Sequence, residues 1–496
     1  MQARSVLDRR RAGILLHITS LPGCLGNGDL GQEARHFIDF LVSVGISVWQ
    51  TLPINPTHPD GSPYQCLSAH AGNPALIDLQ WLSDQGLLTR VDIHDDGGRP
   101  VAHRRCCLDV AFESFRQETG RGLVSAYDDF VSENVSWLGD YALFMALREE
   151  YSGLSWQCWP EALRNRRATA LKQARIRLAE TIARINFEQF VFFRQWQLLR
   201  DYARDRGVIL FGDIPIFVAG DSADVWSRQK EFDLDEKGQP RVVAGVPPDY
   251  FSATGQRWGN PHYRWNRMEK DGFTWWLERF HGQLKLYDWV RIDHFRGFEA
   301  YWEIPSESET AIDGHWVKAP GRQLLAALFD SVNSRELPLV AEDLGIITPE
   351  VEALRKAFNI PGMLILQFAF DANAGNPYAP HNHEPNSVVY TGTHDNDTTL
   401  SWFEGLSNDQ KAYVYRYLGN TTTPMPEALI QCALASVARL AILPMQDVLG
   451  LGQGHRMNTP GTTEGNWNWR FDWSQLTTDR VAMLRDWIRL YGRYVG

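Results

Sequence analysis

The chain reads as an α/β protein built on a (β/α)8 barrel, with helical insertions after the second and third strands. Three observations lead there. Eight short apolar, β-branched runs recur along the 496 residues and mostly alternate with helical patterns. Three of the runs, Trp289 to Asp293, Leu339 to Glu342 and Val388 to Thr391, deliver a carboxylate at or just after their ends: Asp293, Glu342 and, within Thr393-His394-Asp395-Asn396, Asp395. Continuous apolar runs belong to parallel strands buried on both faces. In a parallel barrel, active sites lie at the C-terminal ends of such strands.

In chain order, Arg11 to Leu21 gives the first strand, and Ile46 to Leu52 the second. Between them, Leu30, Ala34, Phe37, Ile38, Leu41 and Val44 mark one face of a helix that Gly45 stops. Strand, helix and strand make a right-handed crossover unit. Residues 55–205 read as a mainly helical insertion, opened by the loop Thr57-His58-Pro59-Asp60-Gly61-Ser62-Pro63-Tyr64-Gln65. Val208 to Phe211 is the third strand. A second insertion, 219–287, carries the loop 245–261, which is too long and too aromatic for a plain connection. Trp289 to Asp293 and Leu337 to Glu342 are the fourth and fifth strands. Pro349 suits the first turn of the next helix. Met363 to Phe368, Val388 to Thr391 and Ala441 to Leu443 complete the eight, and Trp473 to Tyr494 is helical. The whole chain, 1–496, is thereby one catalytic barrel with insertions. An open doubly wound sheet would place a Gly-rich phosphate turn after the first strand, and Ile18-Thr19-Ser20-Leu21-Pro22-Gly23 lacks it.

A net charge of -11 disfavours nucleic acid and anionic membrane as partners and suits a neutral substrate. The six Cys have no metal or disulfide spacing and read as free thiols of a cytoplasmic enzyme. Leu21-Pro22-Gly23-Cys24 is not read as an export box, because His17, Thr19 and Ser20 interrupt the apolar run before it. With 19 Trp, 16 Tyr and 24 Phe, the chain has rings to spare beyond its core; those set among Gly, Asn and Pro in loops suit stacking on sugars.

Arg291 and Asp293 are two apart and share one strand face. An adjacent guanidinium is expected to lower the Asp293 pKa and keep it ionised. Glu342, after an apolar run, is expected to have a raised pKa suited to a general acid, whereas Asp343 points the other way and reads as structural. His394, Asp395 and Asn396 could bind sugar hydroxyls, or cap a turn. One ionised and one protonated carboxyl are the equipment for glycosidic chemistry. The rival use is a metal site of an isomerase or lyase, which Arg291 opposes by its charge. His381-Asn382-His383 is weak evidence for a metal, and no cofactor is expected.

Several motifs carry a family resemblance: Ser62-Pro63-Tyr64-Gln65, Gly212-Asp213-Ile214-Pro215-Ile216-Phe217-Val218, Pro247 to Pro261, Arg291 to Arg296, Ala341 to Gly345, Gly392 to Thr399, Arg456 to Gly461, and Gly465-Asn466-Trp467. From Arg11 onward the chain resembles the amylomaltases, the 4-α-glucanotransferases or disproportionating enzymes of the α-amylase clan. The resemblance implies transfer of α-1,4-glucan segments from a donor glucan to the 4-hydroxyl of an acceptor glucan or glucose, by retaining double displacement. It implies Asp293 as nucleophile, Glu342 as general acid/base and Asp395 as the carboxylate that helps distort the sugar. Asp213, Arg291 and His394 would surround the ring, and Tyr64 would stack on it. Gln256 and Trp258 would line the acceptor side, and Asp249 and His294 would also bind substrate. Asn468 and the 454–469 loop would arch over the cleft with the Tyr250-Phe251 loop. Cys66, where Ser is frequent, and Thr459, where a larger residue is usual, depart from the pattern. The alternatives are a hydrolase of the same clan and a glucan-binding protein without turnover. The oligomeric state is left open.

Overall fold

The computed structural model describes residues 5–23, 25–89, 100–117, 123–248, 252–332 and 336–495. Its strands are β1 (Arg11–Leu15), β2 (Val48–Gln50), β3 (Ile209–Pro215), β4 (Val242–Val246), β5 (Gln256–Pro261), β6 (Trp289–Asp293), β7 (Ala300–Pro305), β8 (His315–Lys318), β9 (Leu339–Ala341), β10 (Gly362–Ile365), β11 (Ser387–Tyr390) and β12 (Leu440–Pro444). Cys24, Asp249, Tyr250 and Phe251, named above, lie outside the described residues.

Eight strands form one sheet in the order β10-β11-β12-β1-β2-β3-β6-β9. Its ladders are parallel, and β12 returns to β1 with Arg11 opposite Leu440 and Leu15 opposite Pro444. The remaining gap is bridged where Ala341 N donates to Pro361 O at 2.8 Å, on the seam between β9 and β10. These are the eight apolar runs of the sequence. Their burial follows from it: β1, β11 and β12 are buried at every position, as strands covered on both faces must be. Gly13 in β1 is required by this packing. A Cβ there would lie 2.4 Å from Ile442 Cδ1 and 2.9 Å from Val48 O.

The helix Gln32–Val44 between β1 and β2 ends at Gly45, whose φ of 80° is the left-handed C-cap. Between β2 and β3 the chain forms helices, of which Ala179–Asp205 is the longest described at 27 residues. It buries Phe187, Phe190, Phe192, Trp196 and Leu199, and Trp196 Nε1 donates to Leu286 O beside the barrel.

The stretch after β3 holds helices as expected, Ala223–Ser227, Trp265–Lys270 and Thr274–Leu286, but is not helical alone. It contributes β4 and β5, which join β7 and β8 in an antiparallel sheet of order β5-β4-β7-β8. This sheet has a small core of its own, Val243, Ile304 and Ala311 with Trp302 against it. Its sequence signal is faint: β5 is Gln-Arg-Trp-Gly-Asn-Pro, and β8 is a largely exposed edge strand. Among the described residues, no helix is long and apolar enough to cross a membrane.

Candidate active site

Strand register assembles the floor of the site. In the β3–β6 ladder Asp213 lies opposite Arg291, and Pro215 opposite Asp293. Arg291 therefore stands between two carboxylates. Its Nη1 donates to Asp213 Oδ2 at 2.6 Å and its Nη2 to Asp293 Oδ1 at 2.8 Å. Asp213 is 1% exposed, whereas the Asp293 side chain keeps 29% exposure, so Asp213 is a buried anchor and Asp293 faces the cleft. Tyr64 Oη donates to the same Asp213 Oδ2 at 2.7 Å.

The β6–β9 ladder continues one step past β9. Glu342 N donates to Ile292 O at 3.0 Å, and Phe295 N donates to Glu342 O at 3.0 Å. The Glu342 carboxyl is then fixed by backbone donors: His294 N to Oε2 at 2.6 Å and Leu344 N to Oε1 at 2.9 Å. His294 makes its contact from the left-handed region, φ 54°. Asp343 turns away, as its strand position requires. It accepts from Met363 N at 2.7 Å and sits 3.0 Å from Arg355 Nε, tying β9 to β10.

Asp395 stands on a turn after β11. Thr393 N and Oγ1 both donate to Asn396 Oδ1, at 2.8 and 2.9 Å, so the Asn396 oxygen builds the turn. Asp447, buried beneath it, accepts from Thr391 Oγ1, Thr399 N and Thr399 Oγ1. The Asp395 carboxylate meets His394 Nε2 at 3.3 Å and accepts from Asn458 Nδ2 at 2.6 Å.

Electrostatics separate the three carboxyls. Burial is the largest influence on Asp293 and pushes it up to about 6; Arg291 opposes this without overcoming it. The lowered Asp293 pKa expected from Arg291 is therefore corrected: the same Arg291 also serves Asp213, whose negative charge acts on Asp293 in the raising direction. Burial, then the charge of Asp293, pushes Glu342 up to about 7, in the expected direction. At Asp395 burial also acts upward, but His394 and Asn458 outweigh it and hold the group well below the usual carboxylate range. Burial is the largest single influence on His394 and acts downward, but the charge and hydrogen bond of Asp395 together outweigh it and raise His394.

Aromatic rings wall the cleft. Tyr64 stacks on His394 at 5.1 Å between centroids and 16° between planes, and Trp467 lies 5.9 Å from Tyr64 and 6.0 Å from His394. Trp258 on β5 meets His294 edge-on at 4.9 Å, and its Nε1 donates to Gln256 Oε1 at 3.1 Å. The structure thus brings together Tyr64, Asp213, Gln256, Trp258, Arg291, Asp293, His294, Glu342, His394 and Asp395. Asn468 is exposed, and its neighbour Trp467 makes the loop's ring contact with the site. Cys66 donates to Pro63 O at 2.7 Å and braces the Tyr64 loop; Thr459 N donates to Asn466 Oδ1 at 2.9 Å inside its own loop. His381 bonds Tyr417 Oη and Ala374 O, and His383 bonds Ser436 Oγ and Tyr378 O, so both rings are engaged in loop structure.

A family model described as 4-alpha-glucanotransferase matches residues 16–477. The chain belongs to the 4-alpha-glucanotransferase family. A relative of that name from Thermus thermophilus is 49% identical over 489 residues, covering 96% of this chain and 97% of its own. One from Synechocystis is 47% identical over 502 residues, covering 99% of each. Among solved structures, an amylomaltase from Streptococcus agalactiae in complex with acarbose superposes with a TM-score of 0.94 at 39% identity, over 98% of this chain and all (100%) of that one. An amylomaltase from Corynebacterium glutamicum, at 19% identity and a TM-score of 0.75, covers 98% of this chain and 75% of that one and shares the fold.

Sequence reasoning missed Asn458, Arg456 and Trp467 as site residues. Their motifs, Arg-Met-Asn and Gly-Asn-Trp, were visible, but which side chain reaches the cleft depends on loop conformation. Trp467 adopts φ 65°, which no spacing rule signals.

Proposed function

We propose that the protein is a 4-α-glucanotransferase that moves α-1,4-linked glucan segments by double displacement, with Asp293 as nucleophile, Glu342 as general acid/base and Asp395 as the carboxylate that grips and distorts the donor sugar. The observation that carries this reading is geometric: Arg291 Nη2 donates to Asp293 Oδ1 at 2.8 Å and favours its carboxylate form, while His294 N and Leu344 N fix the two oxygens of the neighbouring Glu342 carboxyl at 2.6 and 2.9 Å. Burial and then the charge of ionised Asp293 raise Glu342 and favour its protonated form, giving the one-ionised, one-protonated pairing that retaining glycosidic chemistry requires.

In the first step Glu342 gives its proton to the bridging oxygen while an Asp293 oxygen attacks the anomeric carbon. The C–O bond to the leaving glucan breaks, and that glucan departs with a free 4-hydroxyl. A glycosyl ester on Asp293 remains. In the second step an acceptor's 4-hydroxyl attacks the anomeric carbon, Glu342 takes its proton, and Asp293 leaves as carboxylate. The α-1,4 link is restored. Each backbone donor to Glu342 holds a carboxyl oxygen in place through both transfers.

Water in place of the acceptor would give hydrolysis. Membership of the family and the names of its relatives support transfer over hydrolysis. The rings of Tyr64, Trp258 and Trp467 are suited to cover a sugar and displace water. In this reading the chain is a single catalytic unit, with 55–205 and 219–287 as insertions around the barrel. Asp293→Asn tests it. The variant is expected to stay folded and to lose growth of longer glucans from maltotriose; transfer near the wild-type rate would overturn the assignment.

A further inference from the structure

The loop after β12 is pinned to the third carboxylate by two side chains for which the double-displacement scheme has no use. Asn458 Nδ2 donates to Asp395 Oδ1 at 2.6 Å, and Asn458 N donates to His394 O at 3.1 Å. Arg456 Nε donates to Asn458 O at 2.5 Å, and Arg456 Nη2 donates to the Asp395 carbonyl. One asparagine thus grips Asp395 by its side chain and the residue before it by its backbone, and one arginine ties both partners together.

The contact has work to do. The Asp395 side chain is 46% exposed, so packing does not fix it. Its Oδ2 is engaged by His394, and Oδ1 would swing free without the amide. An amide donates without adding charge, so the bond orients a carboxylate and leaves it anionic. The same loop also carries Trp467, whose N donates to Met457 O at 2.9 Å and whose ring stands beside Tyr64 and His394.

We propose that Asn458, braced by Arg456, is a positioning residue that aims the Asp395 carboxylate into the cleft, so that docking of the 456–467 loop completes the donor-sugar site. The inference rests on Asp395 acting on the donor sugar, and the experiment separates the two. A carboxylate left to wander by about 1 Å costs up to about 100-fold in rate. Loss of the amide therefore falls on kcat more than on KM.

The test is steady-state disproportionation of maltotriose, measured across pH, for wild type, Asn458→Ala, Asn458→Asp, Arg456→Lys and Asp395→Asn. Asn458→Ala is expected to lower kcat by about 10- to 100-fold with KM changed less than about threefold. Arg456→Lys keeps the charge but loses the two-pronged grip, and gives a smaller fall of the same kind. Asn458→Asp supplies the diagnostic readout. Two facing carboxyls share a proton at low pH, and the protonated one can donate as the amide did. At higher pH both are charged and repel. The ratio of its kcat to wild type therefore falls as pH rises, whereas the ratio for Asn458→Ala stays level. The other charged groups acting on Asp395, His394 and Arg291, are the same in each Asn458 variant.

If Asp395→Asn is inactive while the Asn458 and Arg456 variants match wild type in kcat, the positioning role is overturned and the function reading stands. If Asp395→Asn is itself near wild type, the reading of Asp395 falls and the inference with it. A loss confined to KM in Asn458→Ala, or a pH-independent ratio for Asn458→Asp, also overturns it. Arg456→Lys decides the matter in the same way if the Asn458 variants fail to fold.

Discussion

His294 donates its backbone N–H to Glu342 Oε2 at 2.6 Å, so the residue that follows one proposed catalytic carboxylate orients the other. The contact depends on φ 54° at His294, a left-handed conformation that β-branched residues avoid. His294→Gly and His294→Val both remove the imidazole, but only the first accepts this backbone without strain. We expect kcat of the Val variant at least about tenfold below that of the Gly variant, the rate equivalent of about 1.4 kcal/mol. Equal kcat values would show that the backbone contact does not govern Glu342.

The pH dependence follows from the two raised carboxyls. Asp293 must be ionised, so activity falls as pH drops through about 6. Glu342 must be protonated, so activity falls as pH rises through about 7. The kcat/KM profile, which reports the free enzyme, is expected to be a narrow bell with its top between those values. A plateau extending well to either side would contradict the arrangement.

Arg291 holds two carboxylates at once, and Asp213 is buried to 1% exposure. Arg291→Met leaves the buried Asp213 carboxyl without its ionic partner. Breaking a buried pair in this way costs about 3–5 kcal/mol, to be read as a lower denaturation midpoint. It also removes a lowering influence on Asp293, so the acid limb of the pH profile moves to higher pH. An unchanged midpoint and limb would contradict this. Since the guanidinium fills the place between these carboxylates that a cation would take, exhaustive chelation is expected to leave activity intact; abolition by chelation would revive the metal-dependent alternative.

Barrel strands were legible because each is a compact apolar run, and β6 falls where the sequence places it, Trp289 to Asp293. The small antiparallel sheet was not, because β5 is polar and glycine-bearing and β8 is exposed; their pairing is settled by neighbours distant in sequence. In the site, the carboxylates announced themselves as abrupt ends to apolar strands. Asp293 was misjudged electrostatically because Arg291 is visible two residues away, while burial and the charge of Asp213, on another strand, are not. Asn458 and Trp467 came to light only through loop geometry, which sequence spacing does not encode.

The activity proposed for the protein is transfer to a sugar hydroxyl in preference to water. It is tested most directly by incubating the protein with maltotriose alone and following total reducing ends together with chain-length distribution. Transfer conserves reducing ends, so glucose and a ladder of longer glucans are expected to grow while the total stays constant. A steady rise in reducing ends without longer products would contradict it and make the protein a hydrolase.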